Sequence, residues 1–160
     1  MDPKAITSSL SVGGQITAAD VRRLAQLGFR SILCNRPDDE ESGQPAFEAI
    51  AAAARAEGLE ARYLPISGTP ADEAAAVFGE TMDELPEPVF AYCRTGMRSA
   101  TAWALSQARK RSVADILVAT TAAGYDIAAV VPRLAEAGRM PAGRALPSLS
   151  ARDAARHCPA

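Results

Sequence analysis

Val89-Phe90-Ala91-Tyr92 runs straight into Cys93-Arg94-Thr95-Gly96-Met97-Arg98-Ser99, and the reading of the whole chain turns on this junction. The first four residues are short, apolar and β-prone. From Arg98 onward the spacing is helical, with Ala100, Trp103 and Ala104 on one face. A strand that enters a helix through one tight turn is the repeating step of a parallel sheet, whose strands need crossover helices between them.

The same step recurs upstream. Thr17-Ala18-Ala19-Asp20 has the form of a capping box with Asp in place of Glu, and Val21, Leu24, Ala25 and Leu27 follow as an apolar face ending at Gly28. Phe29–Asn35 is a mostly apolar run of strand length. Arg36–Gln44 is a polar loop, and Pro45 begins a helix with Phe47, Ile50, Ala51 and Ala54 on its buried stripe. Gly58 ends that helix and Ala61–Ile66 forms the next strand. After Ser67-Gly68-Thr69-Pro70-Ala71-Asp72 a helix runs to about Leu85, with Val77, Phe78, Met82 and Leu85 inward, until Pro86 and Pro88 break it. Two more helices follow, the last with Ile127, Val130, Val131 and Leu134 at helical spacing around an awkward Pro132. The expectation is an α/β fold: a central, mostly parallel sheet of four to five strands flanked by helices. Residues 1–138 form one catalytic domain on this reading, and 139–160 a flexible tail or linker.

The Cys93 turn lies at the carboxyl end of a parallel strand, the edge where ligands of open α/β sheets bind. Successive backbone N–H groups there converge on an anion, and the helix that follows adds its positive end. Gly96 lets the turn close tightly. Arg98, five residues after Cys93, can fold back and bind two anion oxygens side by side, and Arg94 adds a second positive charge. Each feature favours thiolate over thiol, so Cys93 needs no histidine base. Arg36 and Asp38 open a loop after another parallel strand and are placed to line the same edge. Arg36 reads either as a rim contact for an anion or as part of a loop salt bridge, and the acidic run Asp38-Asp39-Glu40-Glu41 as a solvated face. Asp72 reads as a leaving-group acid or as the cap of its helix. Cys34, inside an apolar strand, reads as a buried small hydrophobe.

The remainder narrows the field. With 160 residues, 48% hydrophobic, 22% charged and a net charge of −2, the composition is ordinary for a globular chain and offers no footing for nucleic acid or an anionic membrane. No apolar run approaches the ~18 residues of a membrane span, and the N-terminus lacks the apolar core of a signal peptide. Three scattered cysteines, Cys34, Cys93 and Cys158, argue against a disulfide framework and for a reducing, cytoplasmic setting. His157 is the only histidine, so no His-based metal site is expected, and no cofactor.

The heptad at 93–99 resembles the rhodanese active loop, C-R-x-G-x-R-S/T. Outside it the chain is similar to a different family. Ser11–Thr17 (SVGGQIT), Asn35–Pro45 (NRPDDEESGQP) and Gly124–Leu134 (GYDIAAVVPRL) resemble the β-lactamase-hydrolase-like phosphatase domain family. That resemblance implies a protein-tyrosine-phosphatase-like fold, found alone or fused to sulfur-metabolism enzymes such as persulfide dioxygenases.

Loop length then separates two chemistries. Tyrosine phosphatases space their cysteine and arginine as C-x5-R, whereas Cys93 and Arg98 are spaced as C-x4-R, a smaller bowl that suits a persulfide sulfur. Tyr92 stands where phosphatases place histidine, and no Trp-Pro-Asp loop is visible. The expectation is therefore a sulfurtransferase. Cys93 takes sulfur from thiosulfate or glutathione persulfide and passes it to a thiol or to cyanide. Arg98 and the loop Arg94, Thr95, Gly96 and Met97 hold the persulfide, Ser99 bonds the sulfur, and a persulfide dioxygenase or another sulfide-oxidising enzyme is the companion. The alternative is a cysteine-dependent phosphatase of the same fold, with Cys93 attacking phosphorus and Asp72 as acid. A third possibility is a non-catalytic module that binds anions or partners.

Overall fold

The structure, a computed structural model, describes residues 1–139. Five strands are present: β1 (Lys4–Ala5), β2 (Leu10–Gly13), β3 (Ser31–Cys34), β4 (Glu60–Tyr63) and β5 (Val89–Tyr92). They form one sheet in the order β1-β2-β5-β3-β4, antiparallel only where β1 meets β2. The fold is α/β with a mostly parallel sheet, as the strand–turn–helix repeat implies. Sequence patterning places no strand before Phe29. Leu10 and Val12 are fully buried yet separated by Ser11 in a strand of four residues, too short for periodicity to announce it.

The chain falls into two compact units, one of residues 1–69 and 85–99, the other of 70–84 and 100 onward. In the first, Thr17 caps α1 (Ala18–Gln26). Its hydroxyl accepts from the Asp20 N–H at 3.3 Å, and the Asp20 carboxylate accepts from the Thr17 N–H at 2.8 Å. Val21 and Leu24 are fully buried, whereas Leu27 lies past the helix end and is exposed, because Gly28 with φ +96° already turns the chain away. Helix α2 (Phe47–Ala56) begins two residues after Pro45. Ala46 has no side-chain acceptor, and Asp38 Oδ1 accepts the Phe47 N–H at 2.8 Å in its stead. One core cluster joins both helices to the sheet: Ile16, Val21, Leu24, Ile32, Cys34, Ile50, Ala54, Leu59, Phe90 and Tyr92.

The second unit holds α3 (Asp72–Glu84), most of α4 (Met97–Ser106), α5 (Val113–Ala122) and α6 (Val131–Arg139). Helix α3 buries Ala75, Phe78 and Thr81, with Val77 and Met82 only partly covered. Pro132 falls in the first turn of α6, directly after a single 3-10 turn at Ala128–Val130. A missing N–H costs no helical bond there. Residues 140–160 of the expected tail lie outside the described residues.

Two glycines end β2 against the Cys93 loop. A Cβ on Gly14 would lie 2.9 Å from the Arg94 carbonyl oxygen, and the next residue, Gln15, donates its N–H to that oxygen at 3.3 Å. Gly14→Ala must therefore push the active loop away. We expect a loss of about 1–3 kcal/mol in urea unfolding, and a larger fractional loss of activity than of folded protein.

Candidate active site

Strand β5 delivers Cys93 between its two parallel neighbours. The Cys93 N–H donates to the Gly13 carbonyl at 3.3 Å, and the residue is 1% exposed. The chain then turns through Gly96, whose φ of +97° is open to glycine at no steric cost. That turn aims the Gly96 N–H at Cys93 Sγ, 3.1 Å away, a bond that strengthens as the sulfur gains negative charge. Thr95 Oγ1 accepts the Met97 N–H at 3.4 Å, and Met97 opens α4.

Arg98, the second residue of α4, is held from outside its own loop. Nη1 donates to Glu40 Oε2 and to the Ile66 carbonyl, both at 2.7 Å, and Nη2 donates to Glu40 Oε1 at 2.8 Å. A guanidinium has five N–H groups, so these three bonds leave the Nε–H and one N–H on Nη2, side by side on a single edge. The Glu40 carboxylate raises the pKa of Arg98, and Cys93 adds to that effect. Conversely, the Arg98 bond, with help from Arg36, holds the Glu40 carboxyl down at about 2.

Arg36 forms the loop salt bridges of its second reading. Its side chain is 3% exposed and donates from Nε to Glu40 (3.0 Å), from Nη1 to Gln15 Oε1 (3.1 Å) and from Nη2 to Glu41 (3.2 Å). The acidic run Asp38–Glu41 is exposed, as a solvated face would be, but Glu40 and Glu41 also pair with arginines. Together with Arg36, Arg94 and Arg98 they line an open cavity of about 360 Å³. Gln15, Glu40 and Glu41 carry no signal in the sequence beyond their place in loops that follow parallel strands.

The remaining expected residues fall as follows. Ser99 does not donate to the Cys93 sulfur: its Oγ donates to Asn35 Oδ1 at 2.8 Å, and Asn35 Nδ2 donates to the Leu64 carbonyl at 3.0 Å. Asp38 shapes the loop, with its carboxylate on the Phe47 N–H and its own N–H on the Tyr63 hydroxyl at 2.9 Å. Asp72, at the start of α3 in the second unit, accepts from Arg133 Nη2 at 2.6 Å. Arg94 is exposed at the cavity. Cys34 sits in the core with Sγ 3.2 Å from the Arg36 carbonyl, and burial pushes its thiol up to about 11. Tyr92 also faces the core, where its ring stacks on Phe90. Among the described residues, no group of three or more His, Cys, Asp or Glu side chains could hold a metal ion. None of their helices is long and apolar enough to cross a membrane.

The parallel sheet thus lifts Cys93 into a turn on the same α4 start that carries an oriented arginine, Arg98. Residues 2–110 match the family described as "Beta-lactamase hydrolase-like protein, phosphatase-like domain", and the chain belongs to that family. It is 39% identical over 104 residues to the beta-lactamase hydrolase-like protein of Agrobacterium fabrum and 35% identical over 103 residues to that of Xylella fastidiosa. Each match covers 64% of this chain but only 24% of the relative, so the chain spans about a quarter of the length of these proteins. Among solved structures, one from Neisseria meningitidis named "putative phosphatase" is 32% identical with a TM-score of 0.75, over 82% of this chain and 95% of that one. Tk-PTP in its active form shares the fold at 17% identity and a TM-score of 0.67, over 86% and 97%.

These matches overturn the sulfurtransferase expectation and favour its alternative. The physical error lies in reading chemistry from loop length. Arg98 is aimed by Glu40 and the Ile66 carbonyl, so the count of residues between it and Cys93 does not set where its free edge points.

The Glu40 carboxyl titrates at about 2 in the folded chain against an ordinary 4.5. Its ion pairs therefore contribute stability that is complete above about pH 4.5 and lost as pH falls toward 2. The difference in unfolding free energy between wild type and Glu40→Gln, from urea titrations, is expected to be level at neutral pH and to shrink by about pH 3. A difference that stays flat through that window would show that Glu40 does not act through its charge.

Proposed function

We propose that this domain is a cysteine-dependent phosphatase acting on phosphomonoesters. One observation carries the reading: three bonds to Glu40 and the Ile66 carbonyl fix Arg98 so that a single two-donor edge remains, and the guanidinium interacts with the Cys93 sulfur that already accepts the Gly96 N–H. A tetrahedral dianion can use both, with two oxygens on the arginine edge, a third toward the loop amides and phosphorus facing Sγ. The family match and the Neisseria relative support it.

The reaction runs in two halves. The Cys93 thiolate attacks phosphorus, an S–P bond forms, and the ester P–O bond breaks with its electron pair leaving on oxygen. That oxygen takes a proton from water, which the open cavity admits. Water then attacks the cysteinyl phosphate, the S–P bond breaks, and inorganic phosphate departs from a regenerated thiolate. Charge on the equatorial oxygens is met by Arg98, which Glu40 and the Ile66 carbonyl orient before substrate arrives. A reducing, cytoplasmic setting belongs to this proposal, because the nucleophile must remain a thiol, and Cys34 and Cys93 are both free.

Purified protein should release p-nitrophenol from p-nitrophenyl phosphate, and rapid quenching should trap one phosphoryl group on Cys93. Cys93→Ser should lose at least ~100-fold in kcat. A serine variant that keeps its rate, or a wild type inert toward every phosphomonoester, would refute the proposal.

A further inference from the structure

We infer that Arg94 is a second anion-binding point at this site, and that the substrate is a small hydrophilic phosphomonoester bearing a further phosphate or carboxylate. The inference rests on the phosphatase reading for the identity of the first group. Three arginines line the cavity, and their bonds divide the labour. Arg36 is buried and bonds from all three of its nitrogens to Glu40, Gln15 and Glu41, so its charge is already matched by two carboxylates. Arg98 has one edge left, enough for one phosphoryl group. Arg94 has neither cavity carboxylate as a partner, since Glu40 and Glu41 bond to Arg36 and Arg98 instead.

The unpaired charge is also well anchored. The Arg94 carbonyl accepts the Gln15 N–H at 3.3 Å, with Gly14 packed so closely behind it that a Cβ there would lie 2.9 Å from the oxygen. The side chain therefore departs from a fixed point one residue beyond the nucleophile. With Glu40 and Glu41 already engaged on one wall, the surplus positive charge of the cavity stands on the Arg94 side. A planar guanidinium left open at a cavity draws phosphate or carboxylate and binds it through two N–H groups. All five lining residues are charged, so an aryl or alkyl leaving group would desolvate carboxylates and gain only the stems of charged side chains in return. A leaving group that carries its own anion gains Arg94.

The test compares a sugar monophosphate with the matching sugar bisphosphate. Wild type should prefer the bisphosphate at least tenfold in kcat/KM at low salt, and added salt should erode that preference. Arg94→Gln should abolish the preference through KM, and Arg94→Lys should restore part of it. No preference in wild type, or equal losses on both substrates in Arg94→Gln, overturns the inference. Should no phosphomonoester turn over, the phosphatase reading fails on its own. Calorimetric binding of the two sugars to Cys93→Ser then decides the Arg94 site: tighter binding of the bisphosphate that Arg94→Gln removes supports it, and equal binding overturns it. Zwitterionic vesicles doped with a phosphorylated inositol lipid distinguish the source of the chemistry. Arg94-dependent turnover on vesicles but not on the soluble bisphosphate would keep the second anion point and overturn the small soluble substrate.

Discussion

Strand β5 is paired along both edges, to Leu10–Gly13 on one side and Ser31–Cys34 on the other, and all four of its residues are buried. Nothing polar can leave the strand except at its end. Because all three strands are parallel and in register, Gly13, Tyr92 and Cys34 stand level, and the chain segments that follow them leave the sheet at one height. Each segment then supplies something the others lack. Gln15 holds the Arg94 carbonyl and bonds Arg36, Asn35 takes the Ser99 hydroxyl, and Glu40 grips Arg98. The site is a product of register before it is a product of any one loop.

Three arginines lining one cavity repel one another and need carboxylates to hold them in place. Glu40 does so by standing between Arg36 and Arg98, with bonds of 2.7 to 3.0 Å to both. Exposed ion pairs contribute little, but Arg36 is almost wholly buried, and a buried guanidinium without partners would be strongly unfavourable. The carboxylate thus answers two requirements: it neutralises Arg36 and it turns Arg98. A residual negative charge beside an anion site weakens the grip on substrate. It also prevents the arginine from swinging to whichever edge is nearest, and direction is what in-line displacement needs.

Short-range features of this chain are legible in its sequence. The capping box at Thr17–Asp20, the strand Val89–Tyr92 and the glycine-containing turn after Cys93 each depend on neighbours within a few residues, and each stands where its pattern places it. Partners brought together by the sheet are not legible. Glu40 and Glu41 belong to an acidic run that looks the same whether it faces water alone or also Arg98, 58 positions away from Glu40. Proximity along the chain points Ser99 at the Cys93 sulfur, whereas Asn35, 64 positions away, is its neighbour in space. The C-x4-R count misleads for the same reason: it measures the chain between two residues and not what orients the second.

The central position of β5 has a consequence for how the chain is made. Val89 pairs with Leu10 and with Ser31, contacts that span 79 and 58 positions (89 − 10 and 89 − 31). Pairings of such high sequence separation form late, after the entropy of closing long loops has been overcome. Until Val89–Tyr92 has been synthesised and inserted, β2 and β3 each present a bare edge to solvent, and apolar Phe90 has no core to enter. A nascent or truncated chain that stops short of this strand exposes two open ladders, the state from which strands pair with other chains. The segment that leads into Cys93 is thus also the one that closes the sheet, so assembly of the Cys93 turn and protection from aggregation coincide in time.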